Sequence, residues 1–173
     1  DHDLAQAYQA IDRLHEAGLI YDAHIMTGVA GKGRGMENAE ALAQFLNRTN
    51  PAHVVNFSMF LHKEVPLYQD IRQGTFVPAD ELETIREEYH LIERIAPEKA
   101  GANILYDGFH DFIHVRVRGH LPGDKEKMLA KLNGIVQEYE GKEPVYSFVQ
   151  GECPNLEYCD DGKAVWDMDR KTS

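Results

Sequence analysis

The hydrophobic and polar positions of the first part of the chain alternate between helical and extended periods. Apolar residues recur at helical spacing from Leu4 to Leu14, and Gly18 follows where a left-handed residue ends a helix. Residues 19–28 form a mostly apolar run, residues 36–47 return to the helical period, and residues 54–61 form a second apolar run. This order predicts the helices and strands of a parallel sheet with right-handed crossovers.

The middle of the chain predicts a short helix over residues 66–74 and a longer one over residues 78–95. The apolar stripe of the longer helix contains Leu82, Ile85, Tyr89 and Ile92. Its acidic residues alternate with that stripe and are predicted to form a solvated face without chemistry. These residues are Glu81, Glu83, Glu87, Glu88 and Glu93.

The last part of the chain has a weaker pattern. Residues 101–119 are mixed, although the alternation of Ile113, Val115 and Val117 indicates a strand. A final helix is predicted over residues 122–139. The fold class is therefore α/β, and two parallel strands with bare edges are expected to need further strands from a partner.

Composition favours a globular domain and argues against nucleic-acid-binding and membrane-spanning proteins. A chain of 173 residues with 43% hydrophobic residues is predicted to form a globular domain with a core. The net charge of -11 argues against a nucleic-acid surface, and residues 114–120 are too short a basic stretch to reverse it. No apolar run approaches the roughly 18 to 20 residues of a membrane span, and no signal peptide opens the chain. We expect a soluble, cytoplasmic protein, excised from a longer one because its first residues already follow a helical period.

Cysteine and histidine leave a metal site as an alternative. Cys153 and Cys159 are separated by five residues, which favours reduced thiols over a disulfide or a metal contact. The histidines are His110, His114 and His120, with Asp111 between the first two. On a helix, His110 and His114 would share a face and could bind a metal, but the segment predicts loop and strand. Hydrogen-bonded histidines are therefore the favoured interpretation.

A glycine-rich loop lies between the first predicted strand and the following helix. Gly28, Gly31, Gly33 and Gly35 would let a ligand approach the backbone, and the helix N-terminus favours an anion. The spacing is neither a dinucleotide fingerprint nor a P-loop, because glycine follows Lys32. A plain tight turn is the alternative interpretation.

The glycine-rich loop and the motifs that follow it together resemble the second half of radical S-adenosylmethionine (SAM) barrels. The similarity covers about residues 1–140. The matching motifs follow the glycine loop in this order: Asn38-Ala39, Phe45-Leu46-Asn47, Asn50-Pro51, Pro66-Leu67-Tyr68, Gly74-x-Phe76, residues 106–110 (YDGFH) and residues 121–126 (LPGDKE).

The resemblance implies a partial (β/α) barrel over residues 1–100, with parallel strands and flanking helices, and a C-terminal α+β extension over residues 101–173. It also implies that SAM is the cofactor. In that family the loop after the fifth strand meets SAM, and the next strand passes beside the adenine. The corresponding positions here are Met26, Gly28, Gly31, Met59, Phe60 and Leu61. His24 departs from the glycine found in many members, and no glutamate follows at the usual place.

The cysteine motif C-x-x-x-C-x-x-C of the family is absent from this chain. The resemblance therefore implies a [4Fe–4S] cluster held by residues outside the chain, on a missing N-terminal half. The substrate, a small molecule or a peptide, is unknown, and so are the catalytic residues. His62, at the exit of the second strand, is a candidate for substrate contact or simply a polar residue at a strand end.

Three functions remain open at this point. The first is the C-terminal portion of an iron–sulfur, SAM-dependent radical enzyme, which requires the two predicted strands to be parallel neighbours. The second is a self-contained, non-catalytic α/β module that binds a nucleotide or another anion at the glycine-rich loop, and it predicts a closed sheet. The third is a small metalloprotein built on the histidines and cysteines.

Overall fold

The computed structural model of the protein describes residues 3–149. Five helices and six strands lie in this range. In chain order they are α1 (Leu4–Glu16), β1 (Asp22–Thr27), α2 (Gly35–Thr49), β2 (His53–Ser58), β3 (Leu61–His62), α3 (Pro66–Gln73), α4 (Glu81–Arg94), β4 (Ile104–His110), β5 (Val115–Leu121), α5 (Lys125–Tyr139) and β6 (Phe148–Val149).

Local sequence explains most helix boundaries. Asp3 caps α1 by accepting a hydrogen bond from Gln6 N at 2.8 Å, and Asp80 caps α4 by accepting from Glu83 N at 2.8 Å. The left-handed Asn50 (φ 45°) and Gly74 (φ 74°) end α2 and α3. The predicted helices are confirmed to within a few residues.

The main sheet has the strand order β1-β2-β4-β5. Strands β1, β2 and β4 are parallel, so the two predicted strands are confirmed as parallel neighbours, with Thr27 beside Ser58. Strand β5 runs antiparallel to β4. The mixed segment thus forms a hairpin, and Ile113 belongs to a 3-10 turn between its strands, not to a strand as its alternation suggested.

Helices cover one face of this sheet. The apolar core combines Ala23, Val54, Tyr106 and Val117 from the four strands with side chains of α2, α4 and α5. The contributing helix residues are Ala39, Ala43, Leu46, Ile85, Leu91, Ile92, Met128, Leu129 and Leu132. Since successive strand residues point to opposite faces, His24, Phe57, Phe109 and Arg116 lie on the other face.

The sheet is open. Within residues 3–149, β1 and β5 each pair on one side only, because the strand order begins and ends with them. The protein is therefore a mixed α/β fold with a mostly parallel four-stranded sheet flanked by helices, and closure into part of a barrel stays a prediction. In the described part of the chain, no helix has both the length and the apolar character to cross a membrane.

The prediction that the acidic residues of α4 form a solvated face is wrong for three of them. Glu81, Glu87 and Glu88 are 2%, 2% and 0% exposed, whereas Glu93 does face solvent. Helix α4 packs between α2 and α5 on the face of the sheet, so its flanks are covered as well as its apolar stripe. The strands supply polar partners that make this burial possible.

Candidate functional site

The carboxyl ends of the parallel strands form the edge where α/β folds place their sites. Strands β1, β2 and β4 end there at Thr27, Ser58 and His110. Met59 N donates a hydrogen bond to Thr27 O at 2.8 Å, which ties the segment after β2 to the end of β1. This bond brings the predicted positions Gly28 and Met59 side by side.

Position 28 requires glycine for two reasons, its backbone conformation and the lack of space for a side chain. Its φ is +87°, a left-handed value that favours glycine. A Cβ atom on Gly28 would lie 2.9 Å from Thr84 Cγ2 and 3.4 Å from Met59 Cβ. The loop therefore fits closely against α4 and against the segment that follows β2.

Many amides of the glycine-rich loop already have acceptors within the protein. Gly28 N donates to Glu87 Oε2 at 2.9 Å, and Gly33 N donates to Glu83 Oε1 at 3.2 Å. Lys32 N donates to Val77 O at 2.8 Å. Carboxylates of α4 thus occupy two loop amides that an external anion could otherwise use.

Glu87 also anchors the strand that precedes the loop. Its Oε1 accepts a hydrogen bond from Asn38 Nδ2 at 2.5 Å, and the same amide lies 3.3 Å from Met26 O. Burial raises the pKa of Glu87, and the hydrogen bonds from Asn38 and Gly28 oppose that rise. One buried carboxyl group therefore joins α4, α2, the end of β1 and the loop.

A second buried cluster lies at the end of β4. The two ring nitrogens of His110 are each 3.0 Å from a carboxylate, Nδ1 from Glu81 and Nε2 from Glu88. Burial by itself lowers the pKa of His110, but Glu88 and Glu81 outweigh that effect and raise it to about 10. His110 is then a doubly hydrogen-bonded imidazolium at neutral pH.

The remaining oxygens of these carboxylates bind side chains of the sheet and of the C-terminal segment. Glu88 accepts from Tyr106 Oη at 2.9 Å and from Asn56 Nδ2 at 3.2 Å. Glu81 accepts from Ser58 Oγ at 3.0 Å and also from Ser147 Oγ. The cluster joins the sheet to α4, and its complete burial suits a role in fixing the edge, not in contacting a ligand.

The histidine pattern does not form a metal site in the described residues. His110 is buried, whereas His114 and His120 are exposed on the hairpin. Across residues 3–149, no group of three or more histidine, cysteine, aspartate or glutamate side chains could hold a metal ion. Cys153 and Cys159 lie outside the described residues.

The other predicted site residues divide into two groups. Met26 and Met59 are half-buried near the edge, and Phe60 is 55% exposed there. Leu61 is buried with Ile71 in a separate apolar cluster. Gly31 is also buried, and a Cβ there would lie 2.8 Å from Val77 O.

His62 lies beyond the edge in the short strand β3 and is half-buried. Its Nδ1 accepts a hydrogen bond from Glu64 N at 3.3 Å. That ring nitrogen is therefore engaged locally, and the structure gives His62 no contact with the glycine-rich loop.

Within residues 3–149, the core helices pack on the face opposite to Phe57, Phe109 and Arg116. This second face, called the uncovered face, carries a group that the sequence reasoning missed. Asp107 Oδ1 and Oδ2 accept from Arg116 Nε at 2.7 Å and Nη2 at 2.6 Å. Arg118 Nε lies 3.7 Å from the same Oδ2. Arg116 and Arg118 alternate with Val115 and Val117, so the period of two could have placed both arginines on one face.

No family model, curated protein or solved structure matches this chain. Its function must therefore be argued from the geometry of the carboxyl edge and of the uncovered sheet face.

Proposed function

We propose that this chain is the C-terminal portion of an iron–sulfur, SAM-dependent radical enzyme and forms part of its SAM and substrate pocket. The observation that supports this most is the hydrogen bond from Met59 N to Thr27 O at 2.8 Å. It joins the end of β1, directly before the glycine-rich loop, to the segment after β2 at the carboxyl edge of a parallel sheet. Within residues 3–149, the helices α2, α4 and α5 pack on one face of this sheet, and the opposite face can line a pocket.

The residues at this edge suit SAM. The exposed ring of Phe60 offers an apolar surface for a base, and within residues 3–149 the Phe60 main chain forms no hydrogen bond, so its polar groups can serve an adenine. Gly28 lets the chain turn without a side chain in the way. Gly31 and Leu61 are buried and are assigned to holding the loop and the segment in place.

The proposed [4Fe–4S] cluster requires ligands from outside this chain. The sequence contains two cysteines, fewer than the three thiolates that hold a [4Fe–4S] cluster in this family. The N-terminal half of the protein is the proposed source, joined at the bare edge of β1. When bound, SAM and the cluster supply the one-electron chemistry, and this chain orients SAM and forms one wall of the pocket.

The alternative is a non-catalytic module that binds a nucleotide or another anion at the glycine-rich loop. A cleft of about 170 Å³ beside the loop, lined by Gly31, Gly33 and Gly35, is the feature in its favour. The carboxylates of Glu83 and Glu87 also line that cleft and accept hydrogen bonds from the loop. Arg86 also lines the cleft, but it is paired with Glu140 at 3.0 Å. Because two carboxylates line the cleft and its one arginine is paired, we favour the radical enzyme.

The first test is the reading frame upstream of Asp1. A C-x-x-x-C-x-x-C motif there would supply the cluster ligands, and the complete protein can then be purified and reconstituted anaerobically with iron and sulfide. SAM affinity is measured by equilibrium dialysis for the reconstituted protein and for its Phe60→Ala variant. Because stacking on an aromatic ring contributes about 1–3 kcal/mol per base, we expect about tenfold weaker binding of SAM.

Val65→Ala is the matched control, since Val65 is exposed on the same segment. Its SAM affinity should equal that of the unchanged protein. A reading frame without the cysteine motif would overturn the proposal, and so would equal SAM affinity for the Phe60→Ala and Val65→Ala variants.

A further inference from the structure

The uncovered face of the sheet differs in chemistry from the covered one. The side chains of Met26, Phe57, Phe109 and Arg116 form one row across the four strands, because these residues are register partners. The next row contains His24, Val55, Asp107 and Arg118. Both rows lie near the carboxyl edge, next to the loop and the segment proposed to hold SAM.

The first row contains two stacked aromatic rings. Phe57 and Phe109 stack with ring centroids 5.5 Å apart and an interplanar angle of 16°. The guanidinium carbon of Arg116 lies 4.7 Å from the centroid of the Phe109 ring. Both rings are only partly buried. Because the two rings face each other and Arg116 lies over the second face of Phe109, a planar group can lie with its face against the ring edges and with a cation at one end.

The cations at this end of the face outnumber the carboxylates. Asp107 faces both Arg116 and Arg118, whose side chains are 51% and 55% exposed. Within residues 3–149 no other carboxylate lies within 4.0 Å of Arg118. Lys131 adds a third cation, with Nζ 2.5 Å from Arg116 O at the bare edge of β5. In a chain with a net charge of -11, this local excess of positive charge stands out.

Asp107 also fixes the geometry of its partner. The bidentate pair holds the Arg116 guanidinium beside the Phe109 ring, and Arg116 lowers the pKa of Asp107 through these hydrogen bonds. Arg118 has a longer contact, 3.7 Å from Nε to Asp107 Oδ2, so its donors remain available to another acceptor. The pair therefore orders one arginine and leaves the second for a ligand.

We propose that Phe57, Phe109, Arg116 and Arg118 bind an aromatic group that carries an anionic substituent, with the ring on the two phenylalanines and the anion at Arg118. This inference rests on the proposed function, in which the face lines the pocket, and it names the substrate class of that pocket. The recognised chemistry is a planar ring joined to a carboxylate or a phosphate.

The test uses the 173-residue chain labelled with nitrogen-15 and the probe phenyl phosphate. Saturable shifts of the amide resonances of residues 104–110 and 115–121 are expected. The Arg118→Gln variant should bind phenyl phosphate about tenfold more weakly, since a hydrogen bond to a charged group is lost. Arg94→Gln is the matched control, because Arg94 is an exposed arginine paired with Glu40 away from this face, and it should leave the affinity unchanged.

The Phe57→Leu variant, tested with phenyl phosphate and with inorganic phosphate, isolates the contribution of the ring. We expect weaker binding of phenyl phosphate and unchanged, weak binding of inorganic phosphate. Equal affinity for the two probes, shifts confined to other strands, or equal binding by the Arg118→Gln and Arg94→Gln variants would overturn the proposal. None of these results depends on SAM, so this inference and the proposed function fail separately.

Discussion

His110 and Glu88 form an ion pair that is removed from solvent, with His110 Nε2 3.0 Å from Glu88 Oε2 and both side chains 0% exposed. The histidine ends β4, and the glutamate lies in α4. A Cβ on Gly108 would collide with the carboxyl group of Glu88, so this strand needs glycine for the helix to approach. The pair therefore fixes α4 against the carboxyl edge of the sheet.

Removing one member of this pair should destabilise the fold strongly. We expect His110→Ala to lower the free energy of unfolding by about 3–5 kcal/mol, because Glu81 and Glu88 would be left buried without their cation. Urea denaturation followed by circular dichroism measures the change. Glu93→Ala, at an exposed position of the same helix, is the control and should change stability by about 0.5 kcal/mol or less. Equal losses in the two variants would contradict the ion-pair assignment.

The same pair makes stability depend on pH. The folded pKa of His110 is about 10, above the ordinary value of 6.5, so the folded protein holds this proton more tightly than the unfolded chain does. The contribution to stability is complete below pH 6.5 and is lost as the pH rises towards 10. We expect His110→Gln to flatten this alkaline decline in urea titrations. If stability declines as steeply in the variant, groups other than His110 cause the decline.

Alanine substitutions at two glycines of the loop distinguish the energetic cost of backbone conformation from the cost of packing. Gly28 (φ +87°) and Gly33 (φ +76°) are both left-handed, but only Gly28 has neighbours within 4 Å of an added Cβ. Gly33→Ala should cost about 1–2 kcal/mol of stability through its backbone conformation alone. Gly28→Ala should cost roughly 1–3 kcal/mol more, because Thr84 must move. Thermal unfolding of both variants gives the difference, and equal losses would mean that the loop does not pack against α4.

Glu87 should hold the glycine-rich loop in its folded conformation. Glu87→Ala removes the acceptor for Gly28 N and for Asn38 Nδ2, so we expect hydrogen exchange at the Gly28 amide to accelerate about tenfold or more. The control is Glu83→Ala, which removes an exposed acceptor for Gly33 N. That variant should leave exchange at Gly28 unchanged. If the Gly28 amide exchanges equally fast in Glu87→Ala and the unchanged protein, the carboxylate does not anchor the loop.

The candidate site was predictable only in part. The parallel pairing of the first two apolar runs was expected, and it implied that Gly28 and Met59 would lie at one edge, as they do. The burial of Leu61 and of Gly31 depends on Ile71 in α3 and on residues 76–77 that follow it. The helix was predicted, but a local pattern does not show which segment it packs against. His110 was considered as a metal ligand, although its partners are the glutamates of a helix 22 and 29 positions earlier in the chain.

The sequence by itself determined the order of helices and strands and the parallel pairing of β1 with β2, because apolar period and run length report which side of an element is buried. Tertiary structure alone decided which acidic residues of α4 are buried, because their partners lie far away in the sequence. Glu88 binds His110 at the end of β4, and Glu87 binds the Gly28 amide in the loop after β1. Tertiary structure also decided that Phe57 stacks on Phe109 beside Arg116, because strand register sets which side chains meet across a sheet.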